Sequence, residues 1–281
     1  MIFNYYNLKQ KAKSKNIDLI FKNWQGSEEK VVVYAPHDDD GILGPGYILN
    51  AAQQNGAECF VFIFCNGCGG YSNLDQKENI VSIRKEETLK AYAKLGIDED
   101  HIIRFEYPDF SANTMIGWKL SDGNEGSIAK TIPKLREIGV TRLLVPNGYR
   151  EHMDHVAVFN MGVYQAPQVG DSILVDWGVP VEIKTVLEYS VWGDFTPEDS
   201  LVDKRSTDIR ANFAVKADES IEENIRVSIK KYKSQALIID NLVRKREERR
   251  IGNDYLEVYR KLDPRPKLDY EPYVKYIENE F

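Results

Sequence analysis

The 281-residue chain is 42% hydrophobic and 11% aromatic, enough apolar material for one sizeable α/β core. A formal charge of −7 argues against a general affinity for nucleic acid or for an anionic membrane surface, and leaves a small molecule as the easier partner. Three cysteines, Cys59, Cys65 and Cys68, are too few for a disulfide framework and suit a reducing cytoplasm.

In chain order, Lys9, Lys11, Lys13 and Lys15 are followed by no apolar core and no small-residue cleavage site, so no secretory signal is expected. Residues 1–28 are read as a helical extension. Residues 31–35 and 59–65 are continuous apolar runs rich in Val, Phe and Ile, the pattern of strands buried on both faces. The longer run, Cys59 to Cys65, is far too short to span a bilayer, so no membrane span is expected. Shorter strands are predicted at 101–107, 142–146 and 184–190, and helices near 42–54, 78–95, 125–138 and 155–165. Asp75 and Glu78 read as a capping box for the second of these helices, and Gly96 as its stop. Residues 219–251 are strongly charged and read as helix, with Arg244 to Arg250 as a solvated face. A tail, 261–281, carries several aromatics and is suited to wrapping the domain or a neighbouring subunit. The alternation predicts one α/β domain over 1–281, a mostly parallel sheet with helices on both faces.

Three of the four histidines fall in two short acidic motifs, Pro36-His37-Asp38-Asp39-Asp40 and His152-Met153-Asp154-His155, each just past a predicted strand. In parallel sheets ligands bind outside the carboxyl ends of the strands, so topology and chemistry point to one place. Imidazole and carboxylate are ordinary ligands of a divalent metal, and three protein ligands with one open position are the pattern of a catalytic site. A tight turn after the first strand can aim His37 and Asp40 at one point, and His155 supplies a third ligand. Asp39 is then free to accept a proton from water. His152 stands ready to donate to a developing oxyanion, and Asp154 to orient a histidine, above all His152. Cys65-Asn66-Gly67-Cys68 has no second pair and runs into a glycine-rich loop, so it is read as two incidental thiols. His101 opens a strand outside both motifs and is read as structural or surface.

On the helix at 78–95, Ile80, Arg84, Glu87, Ala91 and Leu95 share one face. A charged pair on that stripe must be internally paired, Arg84 with Glu87, or face a cavity. Asp109, after the strand at 101–107, is a further substrate-binding candidate.

These residues resemble the LmbE/PIG-L type metal-dependent de-N-acetylases, whose signature is Pro/Ala-His-Pro-Asp-Asp-Glu after the first strand and His-Pro-Asp-His in a later loop. The likeness runs over roughly residues 30 to 260 and includes Arg84-Lys85-Glu86-Glu87, Lys233-Ser234-Gln235 and Glu257-Val258-Tyr259-Arg260. Three positions depart: Asp38 and Met153 stand for proline and Gly41 for glutamate, and none removes a ligand. Asp38 adds charge that could tune the metal or reach a substrate hydroxyl.

The resemblance implies a Rossmann-like fold, His37, Asp40 and His155 as zinc ligands, Asp39 as base, and His152 with Asp154 beside the oxyanion. Arg84 would grip sugar hydroxyls. Iron(II) also suits this ligand set. The implied activity is removal of acetyl from an N-acetylglucosamine-type amino sugar, in an enzyme that can form homo-oligomers. An amidase acting on a thiol conjugate or another acylated amine shares the motifs, and a non-catalytic metal- or sugar-binding homologue is the third reading. Loops 66–76, 110–125 and 191–207 are expected to choose the substrate, with Tyr71, Trp118 and Trp192 available to stack on a sugar ring or to pack under their own loops.

Overall fold

The computed structural model describes residues 3–198, 200, 208–263, 265 and 268–281. Positions 199 and 201–207 of the expected 191–207 loop lie outside the described residues, as do 264, 266 and 267 of the tail. Strands β1 (Phe3–Asn7), β2 (Ala12–Ser14), β3 (Lys30–Ala35), β4 (Glu58–Cys65), β5 (Ile102–Tyr107), β6 (Arg142–Pro146), β7 (Thr185–Tyr189), β8 (Phe213–Asp218), β9 (Arg250–Ile251) and β10 (Asp254–Leu262) form one mixed sheet. Its order is β2-β1-β8-β10-β7-β6-β3-β4-β5, with β9 on the edge of β10. The five strands predicted from apolar runs, β3 to β7, are mutually parallel, and the remaining pairings are antiparallel.

Period-two alternation divides the apolar strands between two cores. Val31, Val33, Ala35, Val61 and Ile63 pack on one face, under α2 (Gly46–Gln54), α3 (Ile80–Lys94) and α6 (Glu219–Ile229). Val32, Tyr34, Phe60, Phe62 and Phe64 pack on the other, with α4 (Ser127–Ile138) and the end of α5 (Met153–Asn160). Continuous apolar runs are what such doubly covered strands require. From β3 the chain moves to β4 and β5 on one side, whereas β6 and β7 lie on the other. The crevice at this reversal opens beyond the carboxyl ends of β3 and β6.

Several expectations are corrected. Of the expected helical extension 1–28, residues 1 and 2 lie outside the described residues and 3–28 hold no α-helix: β1 and β2 form a hairpin, Phe3, Tyr5 and Asn7 alternate inward as β1 pairs with β8, and two short 3-10 turns follow. The helix expected at 42–54 is interrupted at Pro45, giving α1 (Asp40–Leu43) and α2. The Asp75–Glu78 capping box does not form. Asn73 instead accepts the amide of Asp75 at the head of a short 3-10 turn, and α3 begins after Asn79 without a side-chain cap. Gly96, in the left-handed region, does close α3. The 219–251 region breaks into α6, α7 (Ala236–Lys245) and β9, because its charged residues are not all on the surface.

Arg246 is buried, with its guanidinium on Glu222 at 2.7 and 2.8 Å and on Glu257 at 3.2 Å. Arg246 and Arg249 also donate to the Leu43 carbonyl at the end of α1, at 3.0 and 3.2 Å. A run read as solvated is therefore partly an internal clamp, since the buried carboxylates of Glu222 and Glu257 demand cations. The tail ends in α8 (Glu271–Glu280), whose residues are all exposed, so it does not wrap its own domain.

At the opposite end of the sheet, buried Arg142 of β6 grips Glu29 through two bonds of 2.9 and 2.8 Å. Burial alone would raise the Glu29 carboxyl, but the bonds from Arg142 and Thr141 outweigh it and lower it from 4.5 to about 2. A depressed carboxyl contributes stability that is complete above pH 4.5 and is lost as pH falls toward about 2. Glu29→Gln should therefore destabilise the protein at pH 7 by about 3–5 kcal/mol and flatten the decline of Tm over that acid range. An acid limb identical in the two proteins would dismiss the pair.

Candidate metal centre and active site

The first motif is shaped by the end of β3. After Ala35 the chain turns, and the His37 amide donates to Asp40 Oδ2 at 2.8 Å, closing a three-residue loop onto the first residue of α1. That turn places His37 Nδ1 3.1 Å from the same oxygen. The second motif opens α5: His152 is its N-cap, accepting the Asp154 amide on Nδ1 at 3.2 Å. His155 then lies in the first turn, fully buried, with Nε2 3.1 Å from Asp40 Oδ2. One ligand atom from each of His37, Asp40 and His155 lies within 4.8 Å of the others. Two motifs more than a hundred residues apart thus converge on one carboxylate.

The donor set fits a cation. His155 Nε2 is buried with no hydrogen-bond partner, an orphaned lone-pair position aimed at Asp40. Burial opposes charging of His155, yet Asp40 and Glu151 push it up to about 9. His37 is likewise raised against burial, by Asp154 and Asp40. Asp40 is lowered despite burial, by His155 and His37. A site that draws protons onto two buried imidazoles is one whose field favours positive charge, which a divalent metal supplies with both rings neutral.

Asp39 stands beside this set without joining it. Its Oδ1 accepts from Arg84 Nη2 at 3.3 Å, and burial with the adjacent Asp40 raises its carboxyl against the opposing pull of Arg84. Arg84 does not pair with Glu87, which instead accepts the amide and hydroxyl of Ser234 at 2.8 and 2.6 Å. Arg84 spans Asp39 and Asp38, the latter at 3.1 Å. Asp38 is fully buried, bonded also to Arg104 and to Thr88 Oγ1 at 2.8 Å, so it faces away from any substrate hydroxyl.

Other expected residues are placed differently. The Asp154 carboxylate faces His37 Nε2 at 3.3 Å more closely than His152 Nδ1 at 3.4 Å, and accepts the amides of Phe110 and Ala112 at 2.7 and 3.1 Å. Its orienting partner is therefore His37, while its backbone amide fixes His152. Asp109 accepts the amides of Gly67 and Gly69, both at 2.8 Å, and ties the glycine-rich loop down. Cys65 lies within reach of His37 and Asp109, and burial with Asp154 pushes its thiol up. His101 pairs with Glu58 at 3.0 Å, away from the site.

The centre opens into a cavity of about 430 Å³, lined by both motifs and by Phe110, Trp192, Gln235 and Ile238. Of the three candidate stacking rings, Trp192 lines it, whereas Trp118 packs edge-on against Trp177 at 5.3 Å. A second hollow, about 660 Å³, surrounds Lys184, Lys261 and Arg265 and contains no motif residue. Sequence reasoning missed Phe110, Ile238 and Glu151. The last has a fully buried side chain bonded to His155 Nδ1 at 2.7 Å, and its one local signal was adjacency to the second motif.

Gly41 answers for one departure from the signature. A Cβ there would lie 2.5 Å from the Tyr92 hydroxyl, so the position has no room for glutamate. Gly41→Ala should cost about 1–3 kcal/mol in denaturant unfolding, and Tyr92→Phe in the same chain should recover part of it. An unchanged midpoint would refute this packing.

No curated protein matches the chain in sequence. Solved structures share its fold. A conserved protein, TT1542 from Thermus thermophilus, is 19% identical over 86% of this chain and 98% of its own, with TM-score 0.62. The N,N'-diacetylchitobiose deacetylase from Pyrococcus horikoshii is 16% identical over 88% and 90%, with TM-score 0.62. GalB, the 4-carboxy-2-hydroxymuconate hydratase from Pseudomonas putida, is 15% identical over 86% and 99%, with TM-score 0.61. Residues 32–166, from β3 through both motifs, match the family model described as PIG-L, GlcNAc-PI de-N-acetylase. This segment, which holds His37, Asp39, Asp40 and His155, is where the chain is similar to the PIG-L de-N-acetylase family.

Proposed function

We propose that this protein is a metal-dependent amidohydrolase that removes the acetyl group from an N-acetylated amino sugar of the N-acetylglucosamine type. The observation that carries this reading is the convergence of His37, Asp40 and His155 with an unligated carboxylate, Asp39, in one cavity. A mixed nitrogen and oxygen donor set suits Zn2+, and Fe2+ fits it as well. Bound at these residues, the cation supplies Lewis acidity toward the acyl oxygen and toward water.

The chain's own groups then divide the proton work. Asp39 keeps one oxygen on Arg84 and offers the other to the attacking water, whose proton it takes. Because His152 accepts on Nδ1, its neutral ring carries the proton on Nε2, and that N–H serves the oxyanion. Burial and the neighbouring His37 keep His152 from charging, so it remains a neutral donor. As the amide C–N bond breaks, the proton that Asp39 took from the attacking water passes to the leaving amine. Asp154 holds His37, Arg84 holds Asp39, and Asp109 shapes the cavity through the Gly67–Gly69 loop. Products are acetate and a free amino sugar.

The rim of Phe110, Trp192 and Ile238 offers apolar faces to a sugar ring or to its substituent. An amidase acting on another acylated amine would use the same donors, and a substrate panel separates the two. GalB carries the fold in a hydratase, so fold alone does not choose the reaction. We assign the protein to the cytoplasm, with a small-molecule substrate, no nucleic-acid partner and a capacity for homo-oligomers. All three cysteines are free, and among the described residues no helix is long and apolar enough to cross a membrane.

Asp39→Asn should retain its metal by elemental analysis and lose a factor of about 10²–10⁴ in kcat for acetate release. Undiminished turnover would remove Asp39 from its role. Chelation should abolish acetate release from N-acetyl sugars, and Zn2+ or Fe2+ should restore it. Turnover that survives complete removal of metal would overturn the assignment.

A further inference from the structure

The Glu151 carboxylate is buried between His155 and the 190–193 segment, and Asn147 Nδ2 also donates to its Oε1 at 3.4 Å. Its Oε2 accepts from His155 Nδ1 at 2.7 Å. Its Oε1 accepts three successive amides, Val191 at 3.0 Å, Trp192 at 2.9 Å and Gly193 at 2.9 Å, together with the Ser190 hydroxyl at 3.0 Å. Successive amides converging on one oxygen form an anion-binding concavity, which holds the carboxylate in one position.

Each side of this arrangement has a consequence. A proton on His155 Nδ1, donated to Glu151, leaves the Nε2 lone pair free, and Nε2 is the buried, partnerless atom facing Asp40. The 190–193 segment carries Trp192, a wall of the catalytic cavity and half-exposed at 51%. We infer that Glu151 is a positioning residue that couples the metal ligand His155 to the substrate-facing wall at Trp192, so that occupancy of the metal centre orders the wall. A carboxylate that shifts to release the loop must also let the His155 ring rotate, and fixing that ring by metal fixes the carboxylate. This inference rests on the metal reading proposed above.

The experiment measures Zn2+ affinity by competition with a chromophoric chelator, and hydrogen exchange of the 190–193 segment with and without Zn2+. Wild-type protein should gain protection at the Val191, Trp192 and Gly193 amides on Zn2+ binding. In Glu151→Gln the amide oxygen can still accept from the loop, but the NH2 group cannot accept from His155. Its Zn2+ affinity should fall about 10–100-fold, and the Zn2+-dependent gain in protection should vanish. Trp192→Ala should raise KM with Zn2+ affinity within about twofold of wild type, separating the wall from the ligand.

Zn2+ binding to wild-type protein without any change in 190–193 exchange would overturn the coupling, whatever becomes of the variant. So would a Glu151→Gln protein with wild-type Zn2+ affinity. Wild-type protein that binds no Zn2+ would instead sink the metal reading itself.

Discussion

One oxygen organises this molecule. Asp40 Oδ2 accepts the His37 amide at 2.8 Å and lies 3.1 Å from both His37 Nδ1 and His155 Nε2. Nearly inaccessible to water, it would be a heavy liability alone, so the chain must bring it cations or cation ligands. It does so from both sides of the switch point, β3 and β6, which the parallel order places next to each other. The fold thereby converts two sequence-distant turns into one site.

The same demand recurs through the structure at other buried charges. Asp38 takes Arg84, Arg104 and Thr88; Glu29 takes Arg142; Glu222 and Glu257 share Arg246. Burying such groups is costly unless every oxygen is met, and here each network links elements that packing alone would leave loosely related. Arg246 and Arg249 bind the last carbonyl of α1, which begins at Asp40, so the C-terminal clamp also steadies the His37–Asp40 turn. Arg84 reaches the Asp39 carboxylate while anchored on Asp38, and this ties a departure from the family signature to the placement of Asp39.

Legibility in the sequence followed burial. Strands β3, β4 and β6 are covered on both faces and read as continuous apolar runs, so their spans were evident almost to the residue. Strands β1, β8 and β10 were not recognised. In β1, polar Asn4 and Tyr6 alternate with inward Phe3 and Tyr5, and its lysine-bearing surroundings mimic an extension. Strand β10 carries Glu257 inward, a buried acid that makes sense only once Arg246 and Arg249 arrive from elsewhere. At the site, His37, Asp40 and His155 were legible because few residue types ligate metal and theirs cluster. Glu151 was not, because the amides of 191–193 that define its role lie forty residues away.

From the chain alone came the candidate donor residues, the carboxylate proposed as base and the parallel core, because ligand chemistry and two-faced burial are written in residue type and local period. Tertiary structure decided the rest. It turned Asp154 toward His37, placed Arg84 on Asp39 and Asp38, set Glu151 between His155 and the 191–193 amides, and drew arginines from a charged run into the interior. These are pairings between buried polar groups, and no stretch of sequence records which distant partner will satisfy an unmet oxygen.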